Sequence, residues 1–163
     1  MRRDELLDAA ECLLDDQGVQ GLTLAAVAER AGVSKGGLLY HFASKEVLIK
    51  AMIERLIADF DALVEAQHEP TYTRAYLAAT FEAVESGRLR RWAVVTGAAG
   101  DPGLLAPLRE AMARWHTHGL DDEPDPLTSQ VVRLSCEGLW DVATHSPSTI
   151  DYAAVHRRLL ELL

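Results

Sequence analysis

Apolar residues recur along this chain at the three-and-four spacing of helical faces, and no stretch shows the alternation of a half-buried strand. From Arg3 to Gln17, the residues Leu6, Leu7, Ala10, Leu13 and Leu14 mark an amphipathic helix that Gly18 ends. Asp4, Glu5 and Asp8 occupy its first turns, where negative charge suits the helix dipole. Leu24, Val27, Ala28 and Ala31 then share one buried face, with Thr23 placed to cap their helix. Gly32 follows directly, where a chain that must stop and swing round needs a positive φ without a Cβ clash. Val33 plugs the corner, and Ser34 caps a further helix with Leu38 and Phe42 inward and Leu39 alongside. The small Ala28, four residues before Gly32, lets the two helices cross closely. This spacing predicts a helix-turn-helix whose second helix is sized for the DNA major groove, with the first helix across its back.

The helical pattern continues to the end. Ser44 caps a long helix with Val47, Leu48, Met52, Leu56, Phe60 and Leu63 on its buried side, running to about Gln67 before Pro70. Tyr72 to Ser86 reads as one helix stopped by Gly87, and Leu89 to Ala99 as another ending at Gly100. Asp101-Pro102 reads as a helix start; Pro107 then either kinks that helix or marks its true beginning. Leu104, Leu108, Met112 and Trp115 give it one apolar face, and His116-Thr117-His118-Gly119 closes it. Asp121 to Pro126 is an acidic loop expected to be solvated, and Ser146-Pro147-Ser148 separates the last two helices, Leu127 to Thr144 and Ile150 to Leu163. The expected fold is all-α: a three-helix DNA-binding domain over residues 1–45, then a second helical domain over 46–163. The long helix would be a rigid rod carrying displacement from one domain to the other.

The charge balance narrows the kind of nucleic-acid binding. Net charge is −9, and six basic residues stand against eight acidic ones up to Lys50. Without a broad basic footprint, indiscriminate binding is disfavoured, and site-specific binding with a modest salt slope is expected. Placement matters more than the sum, because Lys35 and Lys45 sit at the motif. Arg2 and Arg3, in a short N-terminal stub, are either solvated or touch a phosphate or the minor-groove edge. No apolar run approaches the roughly 18 residues of a membrane helix and no signal-peptide pattern opens the chain. Cys12 and Cys136, two lone thiols, point to a reducing cytoplasm and to buried, inert side chains.

The run Thr23-x-x-x-Val27-Ala28-x-x-Ala31-Gly32-Val33-Ser34-Lys35-Gly36, followed by Tyr40-His41-Phe42-x-Ser44-Lys45-Glu46, resembles the DNA-binding domain of TetR-family transcriptional regulators. It covers roughly the first third of the chain, with fifteen positions at fixed spacing. Beyond it the resemblance lies in length, helical character and the late Glu137-Gly138-Leu139-Trp140 segment. The resemblance implies a regulator, most often a repressor, that grips palindromic double-stranded operator DNA as a homodimer and releases it on binding a small molecule. It implies DNA contact through Thr23, Ser34, Lys35, Gly36, Gly37, Tyr40, His41 and Lys45, with Tyr40, His41 and Lys45 on the phosphate-sugar backbone. Lys35 is the one long donor of the recognition helix and can reach a guanine edge or a phosphate. Gly36 and Gly37 lower helix propensity but let the backbone approach DNA closely. Thr23 and Ser34 as caps only, His41 as packing and Lys45 as a solvated side chain are the plainer readings.

In the second domain the resemblance implies a small-molecule pocket. Tyr72, Tyr76, Phe81, Trp92, Met112, Trp115 and Trp140 supply surface suited to an apolar or aromatic effector, although aromatics at helical spacing also simply fill cores. Leu127, Val131, Leu134, Gly138 and Val142 form one stripe and Val155, Leu159, Leu160, Leu162 and Leu163 another; the resemblance implies a homodimer through these last two helices. His116 and His118 do not share a helical face and no Cys or carboxylate cluster completes a metal site, so solvated histidines are expected and no metal or cofactor. Two alternatives stand beside the sensor: a DNA-binding dimer with a solid, effector-free core, and a small helical enzyme using His116, His118 or Cys136.

Overall fold

The computed structural model describes residues 3–145 and 150–163, and every regular element among them is helical. The elements are α1 (Arg3–Gly21), α2 (Leu24–Arg30), α3 (Lys35–His41), α4 (Lys45–Glu65), α5 (Tyr72–Glu85), α6 (Arg88–Gly97), α7 (Ala106–Thr117), α8 (Pro126–His145) and α9 (Tyr152–Leu162). Single 3₁₀ turns at Pro102–Leu105 and Leu120–Asp122 precede α7 and α8. Met1, Arg2 and the Ser146-Pro147-Ser148 break lie outside the described residues.

The residues up to Ile57, together with Arg91–Arg109, form one compact unit. Its core is built from the faces the sequence marks: Leu6, Leu7, Ala10, Leu13 and Leu14 of α1, Val27 and Ala28 of α2, Leu38 of α3 and Phe42 just after it. Gly18 breaks α1 with φ 68° and ψ −170°, and a further turn carries it to Gly21. On α4 the buried stripe runs Leu48, Met52 and Leu56, with Ile49 and Ile53 on one flank. Val47 was expected inward, but its position, 100° around from Leu48 on the other flank, leaves it 45% exposed. Cys12 is exposed rather than buried, since it falls between the inward positions of α1.

The polar links of this unit converge on Glu11 in α1. Arg91 donates to both its carboxylate oxygens, at 2.5 and 2.8 Å, and the Arg55 guanidinium lies 2.5 Å from one of them. Arg55 also donates to Asp8, at 2.6 Å. Arg3, expected to be solvated or on DNA, lies over the ring of Phe42 at 5.2 Å.

Ala58–Arg90 and Glu110–Leu163 form the second unit. Gly87, with φ 73°, follows α5 as its stop. Pro107 stands in the first turn of α7, so it opens the helix rather than kinking one: the Asp101 carboxylate caps the preceding 3₁₀ turn by accepting from Gly103 N–H at 2.8 Å.

Arg133 is the hub of this unit. Its side chain is fully buried against Glu123, itself 1% exposed, at 3.1 Å. It also donates to Thr73 Oγ1 and to the carbonyls of Trp115 and His118, at 2.8–2.9 Å, which ties α5, α7 and α8 together. Glu123 accepts in turn from Thr73 N–H at 2.7 Å. The acidic loop is therefore not uniformly solvated: a fully buried guanidinium requires a charged partner, and Glu123 provides it. His116 is likewise paired rather than solvated, with Glu137, and the His118 ring lies 4.4 Å from that of Tyr72.

Candidate nucleic-acid interface and effector region

Each cap of the helix-turn-helix is made by the residue the sequence marks. Thr23 Oγ1 accepts from Ala26 N–H and Ser34 Oγ from Gly37 N–H, both at 3.1 Å. Between them α2 closes with Gly32 N–H donating to Glu29 O at 3.0 Å and Val33 N–H to Ala28 O at 2.8 Å. These paired bonds satisfy the last carbonyls and need a left-handed residue between them, which Gly32 is, with φ 69°. The turn thereby aims α3 with Leu38 sealed inward and the remaining positions through Tyr40 outward.

The structure brings the expected DNA-contact residues onto one region of the first unit. Lys35, Gly36 and Gly37 are exposed at the start of α3. Tyr40 is 87% exposed, with the His41 ring edge-on at 5.2 Å. His41 is half-buried and Lys45 donates to Val19 O at 3.3 Å, which orients its ammonium at the foot of α4. A Cβ added to Gly36 would meet nothing nearer than Ser34 Oγ, at 4.0 Å, so the fold itself leaves room there; at Gly37 the same oxygen stands at 3.3 Å. Ser44 Oγ accepts from Val47 N–H and so caps α4.

Of the expected effector residues, Tyr76, Trp115 and Trp140 gather in the second unit. Their rings meet that of Phe60 nearly edge-on at 5.4, 5.0 and 4.8 Å. Trp115 Nε1–H donates to Asp61 at 2.6 Å, and Arg114 holds the other oxygen of that carboxylate. The Tyr76 hydroxyl has no hydrogen-bond partner among the described residues, and burial pushes its pKa far up. Tyr72 and Trp115 stand in the wall of a groove of about 340 Å³ that Asp61, Glu65 and Arg114 rim. Burial raises the Tyr72 hydroxyl to about 12, against the pull of Arg133, whose guanidinium lies 4.8 Å from its ring. Met112 is half-buried on α7, while Trp92 belongs to the first unit.

Sequence reasoning missed Arg133, Glu123, Glu11 and Asp61. An arginine set between Val132 and Leu134 on α8 was the available signal for Arg133, but its partner lies across a loop. Of the residues the enzyme alternative would use, His116 is paired with Glu137, and burial pushes the Cys136 thiol up to about 12. No group of three metal-ligating side chains gathers among the described residues.

A capped helix pair with an exposed second helix, followed by a larger helical unit, defines a helix-turn-helix regulator. Residues 6–52 match the model for bacterial regulatory proteins of the tetR family, and residues 70–163 that for the tetracyclin repressor-like C-terminal domain. The chain belongs to the TetR family of DNA-binding transcriptional regulators. The HTH-type transcriptional regulator BetI of Burkholderia mallei is 32% identical over 139 residues, covering 85% of this chain and 64% of that protein. A transcriptional regulator from Rhodococcus sp. Rha1 superposes with a TM-score of 0.75 at 21% identity, over 99% of this chain and 94% of that one. The multidrug binding protein EbrR, complexed with malachite green, superposes with a TM-score of 0.74 at 22% identity, over 99% and 98%. The chain spans less than two thirds of the length of these curated relatives, 45% for the BetI of Paraburkholderia phymatum.

Proposed function

We propose that the protein is a homodimeric repressor that binds a palindromic operator through Thr23 to Lys45 and lets go when a small aromatic or apolar effector enters its second domain. The single observation that carries the DNA reading is the outward face of α3, where Tyr40 is 87% exposed and Gly36 presents bare backbone that the fold does not need bare. Lys35 addresses a base edge or phosphate, while Tyr40, His41 and Lys45 hold the backbone on either side. Thr23 and Ser34 combine capping with a phosphate hydrogen bond. Residues 1–45 act as the DNA-binding domain and 46–163 as the effector and dimerisation domain. The protein works in the cytoplasm; no described helix is long and apolar enough to cross a membrane.

Dimerisation runs through α8 and α9. Leu127, Val131 and Leu134 expose 70%, 49% and 59% of their surface on α8, an apolar stripe that a second copy covers. Leu162 of α9 is 41% exposed, whereas Leu159 is 7% exposed and packs within its own unit, so α8 carries more of the contact.

The effector is an aromatic molecule that enters beside Tyr72 and Trp115 and rearranges the rings of Tyr76, Trp115 and Trp140 around Phe60. Met112 completes the expected lining. Chains of this fold have been solved with malachite green or ethidium bound. Entry there displaces α4, which runs unbroken from Lys45 to Glu65, and changes the separation of the two α3 helices. Half-sites lie about 34–36 Å apart or a multiple of it, so a shift of a few ångströms defeats simultaneous docking, and operator and effector weaken each other reciprocally. The mutual packing of those rings favours a second reading, an effector-free dimer with a solid core. Thermal shifts across a library of aromatic metabolites and dyes separate the two.

The DNA reading is tested by selection from random duplexes at low salt. A palindrome should be enriched, and Lys35→Ala or Tyr40→Ala should weaken its binding while the dimer persists. Enrichment of no palindrome would sink the proposal.

A further inference from the structure

We infer that the operator half-site is read chiefly through a thymine 5-methyl group by Leu39, with guanine addressed only at the step facing Lys35. This rests on the proposal that α3 enters the major groove. With Leu38 fully buried, a helical turn of 3.6 residues puts Gly36 and Tyr40 on the opposite side, while Leu39, 100° round from Leu38, and Lys35, in the first turn, stand exposed on the flank next to Gly36. Leu39 is 38% exposed there although its neighbour Leu38 is sealed in the core, and Tyr40 is 87% exposed.

The chemistry of that face is restrictive. Adenine is read by carboxamides, cytosine by carboxylates, guanine by Arg or Lys, and thymine by apolar contact with its methyl group. The helix Lys35–His41 holds no carboxamide, carboxylate or guanidinium. Lys35 is left for guanine and Leu39 for thymine. Gly36, three residues before Leu39 on the same stripe, removes the side chain that would otherwise hold the helix away from the groove floor. A Cβ there would find free space within the protein, the nearest atom lying 4.0 Å away, so the gap faces the partner.

The test replaces each thymine of the selected operator with deoxyuridine, which deletes only the methyl group, and measures the affinity of the full chain. Loss of one buried methyl should weaken binding roughly fourfold per half-site and about fifteenfold when both are replaced. The same substitution should cost nothing further in Leu39→Ala, whose fold is checked by its thermal unfolding. An enriched palindrome that tolerates uracil everywhere overturns this inference and leaves the DNA reading intact. A uracil penalty that survives in Leu39→Ala also overturns it, since another group must then read the methyl. Enrichment of no palindrome is the failure of the DNA reading itself.

Discussion

Replacing Arg133 by Met removes one half of a buried ion pair and leaves the other in place. The guanidinium is fully buried and the Glu123 side chain 1% exposed, so water screens neither charge. Arg133 also binds Thr73 Oγ1 and the carbonyls of Trp115, His116 and His118 at the end of α7, and these lose their donor in the variant. Removing one member of such a pair costs about 3–5 kcal/mol, largely through the charge left uncompensated. At roughly 2–4 °C per kcal/mol for a chain of this size, the midpoint of thermal unfolding should fall by about 6–20 °C. The pH dependence gives an independent check. In the native protein burial pushes the Glu123 carboxyl up, but hydrogen bonds from Thr73, Thr71 and Arg133 outweigh it and the net shift is downward. Its contribution to stability is thus complete above the ordinary carboxylate range and lost as pH falls through its lowered pKa. In the variant the same carboxyl is disfavoured as an anion, so protonating it recovers stability. The gap between the two proteins should therefore narrow from pH 7 towards about pH 4. Circular dichroism melts at several pH values measure both effects. A loss below about 1 kcal/mol, or a gap that stays constant across that range, would refute the reasoning.

Gly36→Ala should raise helix stability by about 1 kcal/mol, because the position is helical and its Cβ meets open space, yet weaken operator binding at gel shift. A variant that binds as well as the parent would remove the argument for close backbone approach. Leu134→Glu should place a charge in the α8 stripe and convert the dimer to monomer in sedimentation equilibrium without changing its helicity. Cys12 should react with a thiol reagent in the native protein, whereas Cys136, buried and raised to about 12, should react only on unfolding.

What the sequence disclosed was what one or two helical turns decide. The caps at Thr23, Ser34 and Ser44 and the left-handed Gly32 and Gly87 depend on neighbours within a few positions, and all stand where expected. The inward faces of α1 and α3 followed from spacing alone. Pairings across the fold were not legible. Arg133 and Glu123 are ten residues apart around a loop, His116 and Glu137 lie on different helices, and Glu11 meets an arginine 80 positions away. Periodicity also misplaced Val47, at the margin of a stripe, and the tendency of free thiols to be buried failed at Cys12. The outer face of α3 was partly readable, because its residue types were plain while the joint exposure of Leu39 and Tyr40 needed the turn that aims the helix.

Hydroxyl-radical footprinting of the selected operator tests most directly whether two copies dock their α3 helices on one duplex. The account predicts two equivalent protected patches related by a two-fold axis, with centres about 34–36 Å apart along one face or a multiple of that. A single protected patch bound by one copy at every protein concentration would contradict it.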